Sequence, residues 1–180
     1  MRVACLGSDS ASPVHFRALN QFEVTVVGAG HAGIEAALAS ARMGRKTLCV
    51  TLRLDTIGHL PCNCSIGGPA KGHIAREIDA LGGQMGVTTD FTLTHVRKVG
   101  TGKGPAVQTT RAQVCKIDYP IFMQNVMANE PNLTLLEGQV ESILEEAGQV
   151  TGILVKQSGS EELQKIETKA VVLTTGTFLN

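Results

Sequence analysis

A chain of 180 residues, 43 % of them apolar and 18 % charged, has the length and composition of one globular domain with a real core. Its 16 basic and 16 acidic side chains cancel, which excludes the broad positive field of a general nucleic-acid binder, so any contact with RNA must come from a local patch or a partner. No apolar run reaches the roughly 18 residues that span a bilayer, and Cys5, Cys49, Cys62, Cys64 and Cys115 are too irregularly spaced for a disulfide framework, so a soluble protein of a reducing cytoplasm is expected.

Residues 1–21 carry scattered serines and no periodicity, and are expected to be a disordered extension without a function of their own. Phe22 to Val27 then reads as a strand, followed by glycines and an alanine-rich helix from Ala32 to Met43. Gly44 ends that helix, and Lys46 to Val50 is a second buried strand. Together these make a βαβ unit and imply a parallel sheet. Beyond a glycine-rich loop, the spacing of Ile74, Ile78 and Leu81 predicts a helix over Ala70 to Leu81, closed by Gly82-Gly83. Thr92 to Val99 alternates as a strand, and a helix is expected from about Thr110 towards Asn129, kinked or restarted at Pro120.

The run "NLTLLEGQV" reads as a short strand that ends in glycine. Turn signals at Ala147-Gly148 and Ser158-Gly159-Ser160 then predict an antiparallel meander over about 138–168. Ala170 to Leu173 is a buried strand that runs into a Thr-Gly turn and stops just after an apolar "TFL", the pattern of the front portion of a longer chain. The fold class expected for residues 22–180 is α/β: a Rossmann-like parallel sheet with helices, plus an antiparallel β-meander.

Gly28, Gly30 and Gly33 form G-x-G-x-x-G between a strand and a helix, with Ala29, His31 and Ala32 filling the loop. The first glycine permits a tight turn, the second lets backbone approach a pyrophosphate, and the third lets helix and strand pack closely. The acidic residue that usually holds the adenosine ribose at the end of the second strand is missing, since the chain reads Val50-Thr51-Leu52-Arg53. The tail "VVLTTGTF", with Thr174, Thr175, Gly176 and Thr177, follows a meander as a second flavin fingerprint would, and favours FAD over NAD.

The loop "LPCNCSIGGPAKGH" allows three readings. As a metal knuckle it would use His59, Cys62, Cys64 and His73, but C-x-C is a poor spacing for zinc and no metal site is expected. As a nucleophile loop it would hold a thiol near Lys71 and a helix start, with a lowered pKa. As a structural turn it would only introduce the following helix. Between the last two the residue types alone do not decide.

Four blocks, "VVGAGHAGIEAALASARMG", "DTIGHLPCNCSIGGPAKGHIAREIDALGGQM", "KGPAVQTTRAQ" and "AVVLTTGTFL", resemble the family of tRNA uridine 5-carboxymethylaminomethyl modification enzymes, called MnmG or GidA. The resemblance runs from about Phe22 to the last residue and covers only the N-terminal part of the family's longer chains, without their NAD-binding and helical regions. It implies an FAD-dependent enzyme acting on C5 of the wobble uridine of tRNA, as a homodimer with an MnmE-like GTPase partner, its flavin reducible by NADH. A related flavoprotein, the folate-dependent tRNA uracil methyltransferase, is the rival enzyme reading, and a non-catalytic FAD-binding fragment is the rival of another class.

The resemblance assigns Gly28 to Gly33 to the pyrophosphate loop, Val140 to an FAD-contacting position just after the third strand, and Cys62 to a catalytic cysteine. The family commonly has proline where this chain has Cys64. Lys103, Arg111 and Gln113 lie in the "KGPAV…RAQ" block, where their side chains face flavin or tRNA phosphate, or are ordinary loop and helix-start residues. His31 and His73 read as loop and helix-start residues, and Arg97-Lys98 as a solvated charge pair.

Overall fold

The β-branched run Gln21–Val27 forms strand β1, starting one residue before Phe22, and the alanine-rich segment His31–Arg42 forms helix α1. The structure, a computed structural model, describes residues 21–61 and 64–176; the expected N-terminal extension, Cys62 and Thr177 lie outside the described residues. Helix α1 buries Gly33, Ile34, Ala37, Leu38 and Ala41, the stripe that a 3.6-residue period places on one face. Strand β2, Thr47–Thr51, returns buried along its whole length beside β1, with Val27 in register with Val50. Such continuous burial is what a strand covered on both faces requires.

The helix expected over 70–81 is α2, Lys71–Ala80, after the short strand β3, Ser65–Gly67. A further helix, α3, Met85–Phe91, follows it. Its N-terminus is held by tertiary contact, because the carboxylate of Glu35 on α1 accepts the N–H of Gln84 at 3.0 Å and of Met85 at 2.6 Å. Arg42, on the same face of α1, donates to Gly82 O at 2.9 Å and Gln84 Oε1 at 2.7 Å, so α1 fixes both ends of the α2–α3 connection.

Strand β4, Leu93–Val99, forms as expected, but the helix expected from Thr110 does not begin there. Thr109–Val114 is strand β5, pairing antiparallel with β3 and β4 in a three-stranded sheet of order β3-β5-β4. Its alternation buries Ala112 and Val114 and turns Gln113 outward, a period of two in a segment too polar to announce itself. Helix α4 runs from Asp118 to Asn129, so Pro120 lies in its first turn, where an intrahelical N–H is not needed, and neither kinks nor restarts it.

The run read as a short strand is β6, Leu133–Glu146, 14 residues that pass straight through Gly138. Its first part, to Glu137, lies parallel to β2, and its second, from Gly138, lies antiparallel to β7, Gln149–Gln157. The last strand, β8, Leu163–Leu173, likewise pairs first with β7 and then runs parallel to β1. Because β6 and β8 each belong to both layers, the ring β1-β2-β6-β7-β8 closes. The result is the α/β class expected, a Rossmann-like parallel sheet with helices and an antiparallel meander.

Two cores follow. On the helix side Val26, Ile34, Leu38, Cys49, Tyr119 and Met123 pack together, and inside the ring Phe22, Leu48, Val50, Ile153, Val155 and Ile166 do. Among the described residues no helix is long and apolar enough to cross a membrane.

Candidate functional site

The turn after β1 is tied on both sides by backbone. Gly28 donates its N–H to Val50 O at 2.8 Å and adopts a φ of +103°, a conformation costly for any residue with a Cβ. A Cβ at Gly28 would lie 2.4 Å from the carbonyl oxygen of Thr174, and one at Gly33 only 1.8 Å from Gly28 O. Gly33 is therefore the close helix–strand contact that the motif predicts.

Thr174 joins the two fingerprints. Its N–H donates to Val27 O at 2.9 Å, and its hydroxyl, within 2.9 Å of Val27 O and 3.0 Å of Gly28 O, donates to this turn from the end of β8. Two motifs separated by more than a hundred residues are thus one piece of structure. Thr175 and Gly176, the expected cofactor residues of the tail, follow the clamp directly and are exposed.

Gly30 differs from its two neighbours in the motif, since a Cβ there would meet no atom within 4 Å. It is the N-cap of α1, whose first turn has neither a capping side chain nor an acidic residue. The N–H groups of a helix's first turn lack intrahelical partners, and here they open onto space that a side chain would fill and none does. Ala29 is buried beneath this loop and Ala32 is exposed on it. An uncapped helix start above an open glycine fits the pyrophosphate of a dinucleotide.

His31 turns its ring inward, edge-on to Tyr119 at 5.8 Å. Burial, with the charge of Lys71 adding to it, pushes the imidazole down to about 4, so His31 is neutral at physiological pH. His31 Nδ1 and the Tyr119 hydroxyl are both buried with no hydrogen-bond partner among the described residues. Burial and the carboxylate of Glu35 raise Tyr119. Nothing in the sequence marked Tyr119, because its neighbourhood is assembled from α1 and α4.

Val140 does not follow a short strand but sits inside β6, opposite Val155, at an irregularity in the β6–β7 ladder. It packs against the ring core. Of the metal-knuckle residues, Cys62 lies outside the described residues, and among those described no three His, Cys, Asp or Glu side chains converge. Cys64 packs against the helix-side core, and its carbonyl accepts the N–H of Val114 at 2.9 Å, which ties the cysteine loop to β5. Cys49 is fully buried, and burial pushes its thiol up to about 12.

Arg111 is a strand residue of β5 and not a helix start, and it lies directly across from Arg97 of β4. Gln113 faces His95 in the same ladder, and Lys103 is exposed in the β4–β5 loop. His73 lies in the first turn of α2. Among the described residues Arg97 and Arg111 form no ion pair, so two like charges lie side by side on a small sheet.

The family profile described as glucose inhibited division protein A matches residues 23–180. The chain belongs to this family. A family member from Bacillus licheniformis, named tRNA uridine 5-carboxymethylaminomethyl modification enzyme MnmG, is 55 % identical over 88 % of this chain and 24 % of its own. The crystal structure of Aquifex aeolicus GidA superposes with a TM-score of 0.82 at 48 % identity, over 91 % of this chain and 26 % of that one. A flavin-dependent brominase shares the fold alone, with a TM-score of 0.59 at 17 % identity over 86 % of this chain and 39 % of its own. This chain therefore spans about a quarter of the length of the family members it matches.

Proposed function

We propose that this chain is the FAD-binding part of an enzyme that adds a carboxymethylaminomethyl group at C5 of the wobble uridine of tRNA. The observation that carries the reading is the open, uncapped loop at Gly30, clamped from the end of β8 by Thr174. Gly28 to Gly33 would hold the pyrophosphate, Val140 would contact FAD, and Thr175 and Gly176 would approach the flavin nucleotide. When bound, FAD supplies a two-electron redox centre for transfer of a one-carbon unit to the uracil.

Cys64, two residues after Cys62 in the sequence, is anchored by β5 and leads through β3 into α2. Cys62 acts there as the nucleophile on the uracil ring or as a group that moves a proton to or from it. Arg97 and Arg111 supply a local positive patch suited to a tRNA phosphate in a chain whose total charge is zero. As in the family's expected biology, the full-length protein would work in the cytoplasm as a homodimer with an MnmE-like GTPase, its flavin reduced by NADH.

The test is a chimera. Residues 22–180 replace the matching segment of the Bacillus licheniformis relative in a host lacking its own enzyme, and the nucleosides of digested tRNA are separated by chromatography. 5-Carboxymethylaminomethyluridine is the expected product. 5-Methyluridine in its place would mark a uracil methyltransferase, and a folded chimera yielding neither would leave a non-catalytic FAD module.

A further inference from the structure

The end of β2 lacks the carboxylate that dinucleotide folds place on the adenosine ribose, yet the sheet brings one to the same row. Val27 of β1 is in register with Val50 of β2, and Val50 with Leu136 of β6. One step further, Thr51 is in register with Glu137. The turn at Gly28, the end of β2 and Glu137 therefore stand across the carboxyl edge of three adjacent parallel strands, each about 5 Å from the next. Ligands of open α/β sheets bind at this edge.

Leu133 and Leu135 pack on the helix-side core while Leu136 packs in the ring, so the alternation of β6 puts Glu137 on the helix side, the face that carries the Gly28–Gly33 loop. Glu137 Oε2 accepts the N–H of Leu54 at 2.9 Å, which orients the carboxylate beside the segment following β2, where its charge also acts on Arg53. An open groove lined by Leu52, Gly138, Gln139 and Lys156 adjoins it.

Two further acids lie nearby: Glu161, on the rim of the groove, pairs with Lys156, and the carboxylate of Asp55 is taken up by both Nε and Nη2 of Arg53. That pairing also occupies Arg53, the cation that directly follows the end of β2.

We propose that Glu137 is the ribose-binding residue, its carboxylate accepting a hydroxyl of the adenosine ribose of FAD in place of an acid at the end of β2. The proposal rests on the FAD reading above. Glu137 is then a specificity residue, selecting a ribose with free hydroxyls, and its hydrogen bond to Leu54 holds the carboxylate ready.

The experiment is a fluorescence titration of the chain with FAD and with the analogue whose adenosine lacks the 2′-hydroxyl, in wild type, Glu137→Gln and Asp55→Asn. Glutamine keeps an oxygen for the Leu54 N–H, so a merely structural role survives in it. Wild type and Asp55→Asn should prefer FAD by about tenfold, the size of one hydrogen bond to a charged group, and Glu137→Gln should lose that preference. An undiminished preference in Glu137→Gln overturns the assignment of Glu137 while leaving the FAD reading intact. A wild-type chain that binds neither ligand overturns the FAD reading and this inference with it.

Discussion

Gly30→Ala is expected to leave the protein as stable as the wild type and to weaken FAD binding by on the order of 100-fold, about 2.7 kcal/mol. Gly30 has a φ of −73° and a ψ of −178°, which alanine adopts without strain, and its Cβ would meet no protein atom within 4 Å. Urea unfolding should therefore shift by no more than about 0.5 kcal/mol. The methyl group would instead occupy the space where backbone N–H groups meet the pyrophosphate.

Gly33→Ala should behave in the opposite way. Its Cβ would lie 1.8 Å from Gly28 O and 2.6 Å from Thr174 Oγ1, so α1 must leave the sheet or the turn must open. The cost expected is about 3 kcal/mol, a fall in Tm of roughly 10 °C seen in thermal unfolding without any ligand. One motif thus contains a binding glycine and a packing glycine, and the pair separates loss of the site from loss of the fold. A Gly30→Ala chain that binds FAD as tightly as the wild type would show that the open loop is not the pyrophosphate site.

The second large effect is at Cys62, measured in the full-length chimera by chromatography of tRNA nucleosides. Cys62→Ser should lower uridine modification by at least about 10³-fold, because a serine hydroxyl is neither the nucleophile nor the acid that a thiol is. Cys64→Ser should retain activity within about fivefold. The Cys64 side chain packs against the helix-side core and its carbonyl is bonded to β5, so it anchors the loop that Cys62 belongs to. Unchanged modification in the Cys62 variant, or equal loss in both, would remove Cys62 as the reacting group.

The βαβ unit was legible because each of its signals is local: a β-branched run, three glycines at fixed spacing, an alanine-rich stripe and Gly44. The meander was legible for the same reason, through its turn residues. β5 is hidden in the sequence because Thr109–Val114 is polar and its partners are the short β3 and a β4 exposed along nearly its whole length. α3 has no cap of its own and depends on Glu35, some fifty residues earlier. Gly138 looked like a strand end, yet a Cβ there would come within 2.8 Å of Val155 Cγ1, so glycine is what lets β6 pass beside β7 unbroken. At the site, the glycine loop could be read directly. The Thr174 clamp, the buried Tyr119 beside His31 and the placing of Glu137 opposite Thr51 could not, since each arises only when distant segments meet.

Equilibrium dialysis of the purified chain against FAD shows whether it carries a formed FAD site. Saturable uptake of one FAD per chain, with the yellow absorption of bound flavin and no competition from FMN, which lacks the pyrophosphate-linked adenosine, is the result expected. A folded chain that stays colourless at saturating FAD, or one that takes up FMN equally well, would contradict it.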